Sequence, residues 1–232
     1  FNAAGISAAG VIDNINMEVI RAAPTIKNYV GTNFKKDFGD RLGVDVYVDN
    51  DVNCALLGEQ WLGGAKGLDE VFCMALGTGI GGAYYLNSLP FGSNFGVGEI
   101  GASVYDVETD TTYEQRASTI ALDRKIKAEM YDGLSVIEFF DLCKREDTNA
   151  LKILDEWLYE VARGIVNLLC ILDPKYIVIG GAVSAQGDYL LNKLEAKVRE
   201  LHPIKINKTK FLAAALGNNA ALYGAISPFV KK

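Results

Sequence analysis

The sequence predicts an α/β fold, and three observations carry that reading. β-Rich runs such as residues 44–50 (VDVYVDN) and 176–181 (YIVIGG) recur along the chain. Segments with apolar residues at helical spacing separate them, and glycines, asparagines and prolines mark the junctions. Strands alternating with helices in this way indicate α/β architecture.

Residues 44–50 alternate and are rich in β-formers, while VNCALLGEQWL directly after carries apolar residues at helical spacing. Asn50 and Asp51 therefore fall at a strand-to-helix junction. Residues 71–76 and 83–86 read as two strands joined by the glycine-dense turn GTGIGG, a β-hairpin. From Glu114 to about Cys143 the pattern is helical. The best helix covers residues 150–172, where Leu154, Trp157, Leu158, Val161, Ile165, Leu168 and Leu172 share one face before Asp173-Pro174 stops it. It feeds the strand YIVIGG, a helix from about Asp188 to Leu201, the strand KFLAAAL and a closing helix after Asn218 and Asn219.

Bulk properties narrow the function. Half of the 232 residues are hydrophobic, enough for a sizeable core. With 29 acidic against 23 basic side chains the net charge is -6, which argues against nucleic-acid binding by this segment. Cys54, Cys73, Cys143 and Cys170 lie far apart in apolar stretches, without zinc-site or disulfide-framework spacing, and read as buried thiols in a reducing compartment. The longest apolar runs, around IVNLLCIL, fall short of a membrane span, so a cytoplasmic protein with no membrane partner is expected. His202, the sole histidine, precedes Pro203 at an apparent helix end and reads as structural. The acidic run DVETD (106–110) lacks the glycine and spaced glutamate of a calcium loop and reads as a solvated loop.

Four groupings could carry chemistry. In Gly77-Thr78-Gly79-Ile80-Gly81-Gly82, glycines can leave successive backbone N–H groups open to an anion such as phosphate. The run satisfies GxGxxG, but the strand-like AYYLN follows where a dinucleotide site needs a helix, and no Walker Gly-Lys-Ser/Thr ends it. Taken alone, a tight hairpin turn fits equally well. Asn50-Asp51 sits where open α/β sheets place ligands. There an aspartate can take a hydroxyl proton, a contribution of about 10² to 10⁴ in rate, and an Asn amide can bond sugar hydroxyls both ways. Helix capping explains the pair at least as well when it is considered alone. Glu99, flanked by Gly98 and Gly101, and Glu114, opening a helix, offer carboxylates suited to sugar hydroxyls, though a turn or helix-dipole role suffices for either. Gly180-Gly181-Ala182 closes a strand and would let a flat ligand lie against backbone, or simply make a tight turn.

The order DNDVNCALLGEQWLGGAKG, ALGTGIGGAYYLN, GVGEIG, YIVIGGAVS and LGNNAALYGAI resembles the ROK family of sugar kinases and sugar-responsive repressors over essentially the whole chain, and most nearly its β-glucoside kinase and glucokinase branch. The resemblance implies an actin-like, ribonuclease-H-like ATPase fold with two lobes and a central cleft. Residues 1–62 with 217–232 would belong to the small lobe and 63–216 to the large one. It also implies phosphorylation of a primary hydroxyl, the 6-OH of a hexose or β-glucoside, with ATP and Mg²⁺. Asp51 matches the catalytic base. Asn50, Glu99 and Glu114 match sugar-binding positions, and Ala9 and Gly10 lie in the opening GISAAGVID, which resembles a loop lining the sugar pocket with backbone groups. Gly77, Thr78, Gly79 and Gly81 match the phosphate loop, and Gly180, Gly181 and Ala182 the adenosine site. A homodimer is implied as well.

Three departures stand out. Ala102 replaces the histidine of GEIGH, and the cysteine cluster of the family's zinc site is missing between Ser103 and Tyr113, so no structural zinc or other protein-bound metal is expected. The family's opening Asp-x-Gly-Gly-Thr loop occurs nowhere, so an N-terminally truncated and catalytically impaired polypeptide is expected. The alternatives from other classes are a sugar-sensing repressor with a DNA-binding domain upstream, and a noncatalytic sugar-binding remnant.

Overall fold

The computed structural model describes residues 2–24, 26–90, 92–103, 105–205 and 208–230. The chain divides into two compact units. The first comprises residues 1–73, 83–98 and 214–232, and the second residues 74–82 and 99–213.

In the first unit, β1 (Ala3–Ala8) runs parallel to β4 (Asp45–Asn50), with Ala3 opposite Asp45 and Ala8 opposite Asn50. A hairpin of β2 (Val11–Asp13) and β3 (Glu18–Arg21) lies between them in sequence, followed by a π-helical turn (Lys35–Gly39) and the short α1 (Asp40–Leu42). Alternation in β4 sends Val46 and Val48 into a core with Ala8, Ile12, Val19 and Phe34. β1 escapes sequence reading because AAGISA is built of small residues without alternation. α2 (Asp51–Leu62) follows β4 without a loop. It packs on the closing helix α8 (Ala220–Val230) at backbone contact: a Cβ added to Gly224 would lie 1.6 Å from the Cys54 carbonyl oxygen, and one on Gly58 2.0 Å from that of Ala220. Substitution at either glycine would force the helices apart.

β5 (Val71–Leu76) and β6 (Ile80–Tyr85) form the expected hairpin, but β6 begins inside the glycine run, which shortens the turn. With β7 (Tyr176–Gly180) and β8 (Lys210–Ala213) they make a sheet of order β6-β5-β7-β8, in which β7 and β8 are parallel. The helices of the second unit are α3 (Tyr113–Ala117), α4 (Thr119–Glu129), α5 (Val136–Lys144), α6 (Thr148–Leu172) and α7 (Asp188–Leu201). The stretch from Glu114 to Cys143 is helical, as its pattern indicates, and is divided into α3, α4 and α5. Ser118 restarts the chain by capping Ala121 N–H, and Ser135 does so through a reciprocal capping box with Glu138.

α6 is the scaffold of this unit. Asp147 caps its start, and Asp173 in the left-handed conformation ends it. Its buried face includes Trp157, whose indole N–H donates to the Ala117 carbonyl at 3.0 Å. Cys54, Cys73 and Cys143 are buried, and burial pushes the Cys73 thiol up to about 12 and the Cys143 thiol up to about 11. Cys170 departs from the expectation: it lies off the apolar face of α6 and is exposed. His202 is buried at the end of α7, where Nδ1 accepts the Ile204 N–H at 3.0 Å. No helix among the described residues is long and apolar enough to cross a membrane.

Candidate functional site

In the first unit the carboxyl end of β4 meets the bend after β1. Asn50 is the N-cap of α2: Oδ1 accepts from Val52 N–H at 2.8 Å and Asn53 N–H at 3.4 Å. Its Nδ2 donates to the Gly10 carbonyl at 2.9 Å, which fixes the Ala9-Gly10 bend against the helix start. Gly10 has φ +95°, and a Cβ there would lie 2.3 Å from the Arg21 carbonyl oxygen, so the bend needs glycine. The capping expected of the Asn50-Asp51 pair thus falls to Asn50.

Asp51 is left with a different task. Its Oδ1 accepts from Val52 N–H at 2.9 Å, and no ion pair among the described residues includes it. The residue reaches solvent, yet protein packs closely around its carboxyl. That desolvation raises its proton affinity above the ordinary aspartate value, against the opposing pull of the Val52 N–H. Tyr29 stands beside it. Burial, then the Asp51 charge, raise the proton affinity of its hydroxyl, against an opposing pull from the Ala9 backbone. The sequence singles out Asn50, Asp51, Ala9 and Gly10, and the fold brings these four together. Tyr29 gives no sequence signal, because nothing local ties it to Ala9 or Asp51.

In the second unit the glycine turn between β5 and β6 meets α3. Thr119 donates to the Gly77 carbonyl through both its N–H (2.9 Å) and its hydroxyl (2.5 Å), anchoring the turn. Glu114 Oε2 accepts from Ile80 N–H at 3.3 Å. A Cβ on Gly79 or Gly101 would come within 2.7 Å or 2.9 Å of that oxygen, so both glycines make room for the carboxylate. The helix carrying Glu114 is docked on α6. The buried Tyr113 hydroxyl donates to the Val161 carbonyl at 2.6 Å, its ring fills the space left by Gly164, and Arg116 Nε pairs with Glu160 at 3.0 Å. Glu99, exposed, precedes a 3-10 turn (Ile100–Ala102) that carries Gly101 beside Glu114. Gly181, at φ +88°, lies against β5: a Cβ there would meet the Leu76 carbonyl oxygen at 2.1 Å. Gly180 ends β7 and Ala182 begins the 3-10 turn after it, so this adenosine-site candidate abuts the strand leading into the glycine turn. Among the described residues no group of three or more His, Cys, Asp or Glu side chains is placed to hold a metal ion.

Sequence reasoning misses one polar residue at the heart of the first cluster. Asp49 is 2% exposed and collects four hydrogen bonds. The alternation of VDVYVDN shows it only as a strand residue.

Comparison with known proteins gives this arrangement its class. A glucokinase of Streptomyces griseus, solved with glucose and AMPPNP, superposes with a TM-score of 0.82 at 28% identity, over 97% of this chain and 80% of that one. The fold is therefore the actin-like ATPase fold. A glucokinase of Thermotoga maritima is 28% identical over 246 residues (96% of this chain, 77% of that protein), and a β-glucoside kinase of Listeria monocytogenes is 27% identical over 236 (98% and 79%). The sequence profile of the ROK family matches residues 1–232, and the chain belongs to that family.

Proposed function

We propose that the protein is a sugar kinase that transfers the γ-phosphoryl group of ATP to a primary hydroxyl, the 6-OH of a hexose or β-glucoside, with Asp51 as the general base. The observation that carries this reading is the division of labour at the β4–α2 junction. Asn50 caps the helix, which leaves the Asp51 carboxylate without an ion pair among the described residues and with a raised proton affinity. A carboxylate of that kind can take the hydroxyl proton as the new O–P bond forms and the bond to ADP breaks. Most of the remaining work is positioning and charge stabilisation.

Asn50 and the Ala9-Gly10 backbone are assigned to sugar hydroxyls in the first unit, and Glu99 and Glu114 in the second. The Gly77, Thr78, Gly79 and Gly81 backbone is assigned to the phosphates, and Gly180, Gly181 and Ala182 to adenosine. Glycines have no side chain to keep a phosphate chain away from backbone amides. Mg²⁺ carried on the triphosphate oxygens would neutralise charge on the transferring group. The named relatives act on glucose or β-glucosides, which supports this substrate class. The reading includes a cytoplasmic homodimer, whose mass light scattering would measure.

The test is Asp51→Asn, followed by coupled ADP release over a sugar panel and by calorimetry. Turnover should fall by about 10² or more while sugar affinity stays within about threefold. Turnover near that of the unaltered protein would remove Asp51 from the role.

A further inference from the structure

Asp49 is a buried carboxylate with no cation beside it among the described residues, and its four hydrogen bonds use both oxygens. Oδ1 accepts the Asn50 backbone N–H at 2.7 Å and Asn53 Nδ2 at 2.8 Å. Oδ2 accepts the Tyr47 hydroxyl at 2.9 Å and Asn14 Nδ2 at 3.0 Å. These donors come from β4, from the first turn of α2 and from the segment after β2. Hydrogen bonds to an ionised acceptor are short and about twice as strong as neutral ones, so the cluster resists distortion.

From this geometry we propose that Asp49 is a positioning residue for phosphoryl transfer: it fixes Asn50 and the first turn of α2, and through them the direction of the Asp51 carboxylate. The proposal rests on the reading of Asp51 as the base. Two of the donors, Asn50 N–H and Asn53 Nδ2, bracket Asp51 in sequence. Asn50 itself holds the Gly10 carbonyl, so the same carboxylate locks the helix start and the bend expected to line the sugar. Asn14 is committed to it as well: its Nδ2 points at Asp49 while its own Oδ1 is buried without a partner among the described residues.

A neutral amide cannot replace this group. Asn at position 49 would offer one acceptor oxygen and turn an NH₂ toward two donors, whichever way it flipped. The first turn of α2 would have to shift, and displacements of about 1 Å at a reacting group cost on the order of 10² in rate.

The experiment compares Asp49→Asn and Tyr47→Phe with the unaltered protein in steady-state kinetics, thermal melting and backbone amide exchange. Asp49→Asn should lower kcat by about 10- to 100-fold with sugar KM within about threefold, and Tyr47→Phe, which removes one donor and keeps the charge, by about two- to tenfold. A folded Asp49→Asn protein with kcat within about twofold of the unaltered one, or with all of its loss in KM, overturns the proposal. Should Asp49→Asn fail to fold, the same two criteria are applied to Tyr47→Phe. If the unaltered protein phosphorylates no sugar, the kinase reading fails separately, and exchange decides the positioning claim. The Asn50, Val52 and Asn53 amides should then exchange about tenfold faster in the variants, with the β7 amides unchanged. Equal exchange at residues 50–53 overturns the claim.

Discussion

Two carboxylates lie inside the first unit near opposite ends of α2, and the way each is satisfied differs. Asp49 draws on three side chains and one backbone N–H. Glu59, fully buried, draws on backbone alone: Gly64 N–H at 2.7 Å, Ala215 N–H at 3.0 Å and Leu216 N–H at 2.8 Å. Side-chain donors can be altered one at a time, so a carboxylate they hold can be tuned, which suits a place beside reacting groups. Backbone donors cannot be removed by substitution, so Glu59 acts as a fastener. It ties the exit of α2 to the segment between β8 and α8, 156 residues away in sequence for Ala215.

The largest effect should therefore come from Glu59→Ala. Three backbone N–H groups would lose a charged acceptor that is itself fully buried, each bond being worth about 1.5–3 kcal/mol, so a loss of about 3 kcal/mol or more is expected in urea denaturation. Glu59→Gln, which keeps one acceptor oxygen, should cost less, roughly 1–2 kcal/mol. A change below about 1 kcal/mol for Glu59→Ala would break the contrast, because the backbone groups would have found water or other partners.

Asn53→Ala probes the other carboxylate. It removes one of Asp49's four donors and should cost about 1 kcal/mol, since the remaining three keep the charge satisfied. A loss as large as that of Glu59→Ala would show that the Asp49 cluster stands or falls as a whole, and would sharpen the contrast into one of location alone.

The same two residues show how far the sequence could be read. Glu59 and Asp49 both stand in segments assigned correctly, a helix and a strand, because periodicity reports local faces. Their partners come from elsewhere in the chain, and no periodicity encodes that. The long helix of residues 150–172 emerged nearly as read, since one apolar stripe and the Asp173-Pro174 stop are local signals. The Glu114 to Cys143 stretch is helical as read, but its breaks before Thr119 and Val136 went unmarked, although Ser135-x-x-Glu138 is a legible capping box. β1 depends on pairing with β4, so its small residues carry little signal of their own. In the candidate site, Asn50 and Asp51 stood out because a strand-to-helix junction is visible locally. Asn14, Tyr29 and Tyr47 became relevant only once the fold had brought them there.

The smallest expected effect concerns Asp51, an acid held by neither kind of network. Because protein around it raises its folded proton affinity, the native state binds its proton more readily than the unfolded chain does. Stability then falls as pH rises from the ordinary aspartate value, about 3.9, through the raised folded value, and the deficit persists at neutral pH. Asp51→Asn removes that titration. The variant should melt slightly higher than the unaltered protein at pH 7, by less than about 1 kcal/mol because the residue reaches solvent, and the two should converge near pH 4. This is the opposite sign to Glu59→Ala and Asn53→Ala, as expected of a residue that costs the fold something and serves chemistry. If Asp51→Asn instead destabilises at pH 7, the carboxylate is supporting the start of α2, and the division of labour between Asn50 and Asp51 is lost.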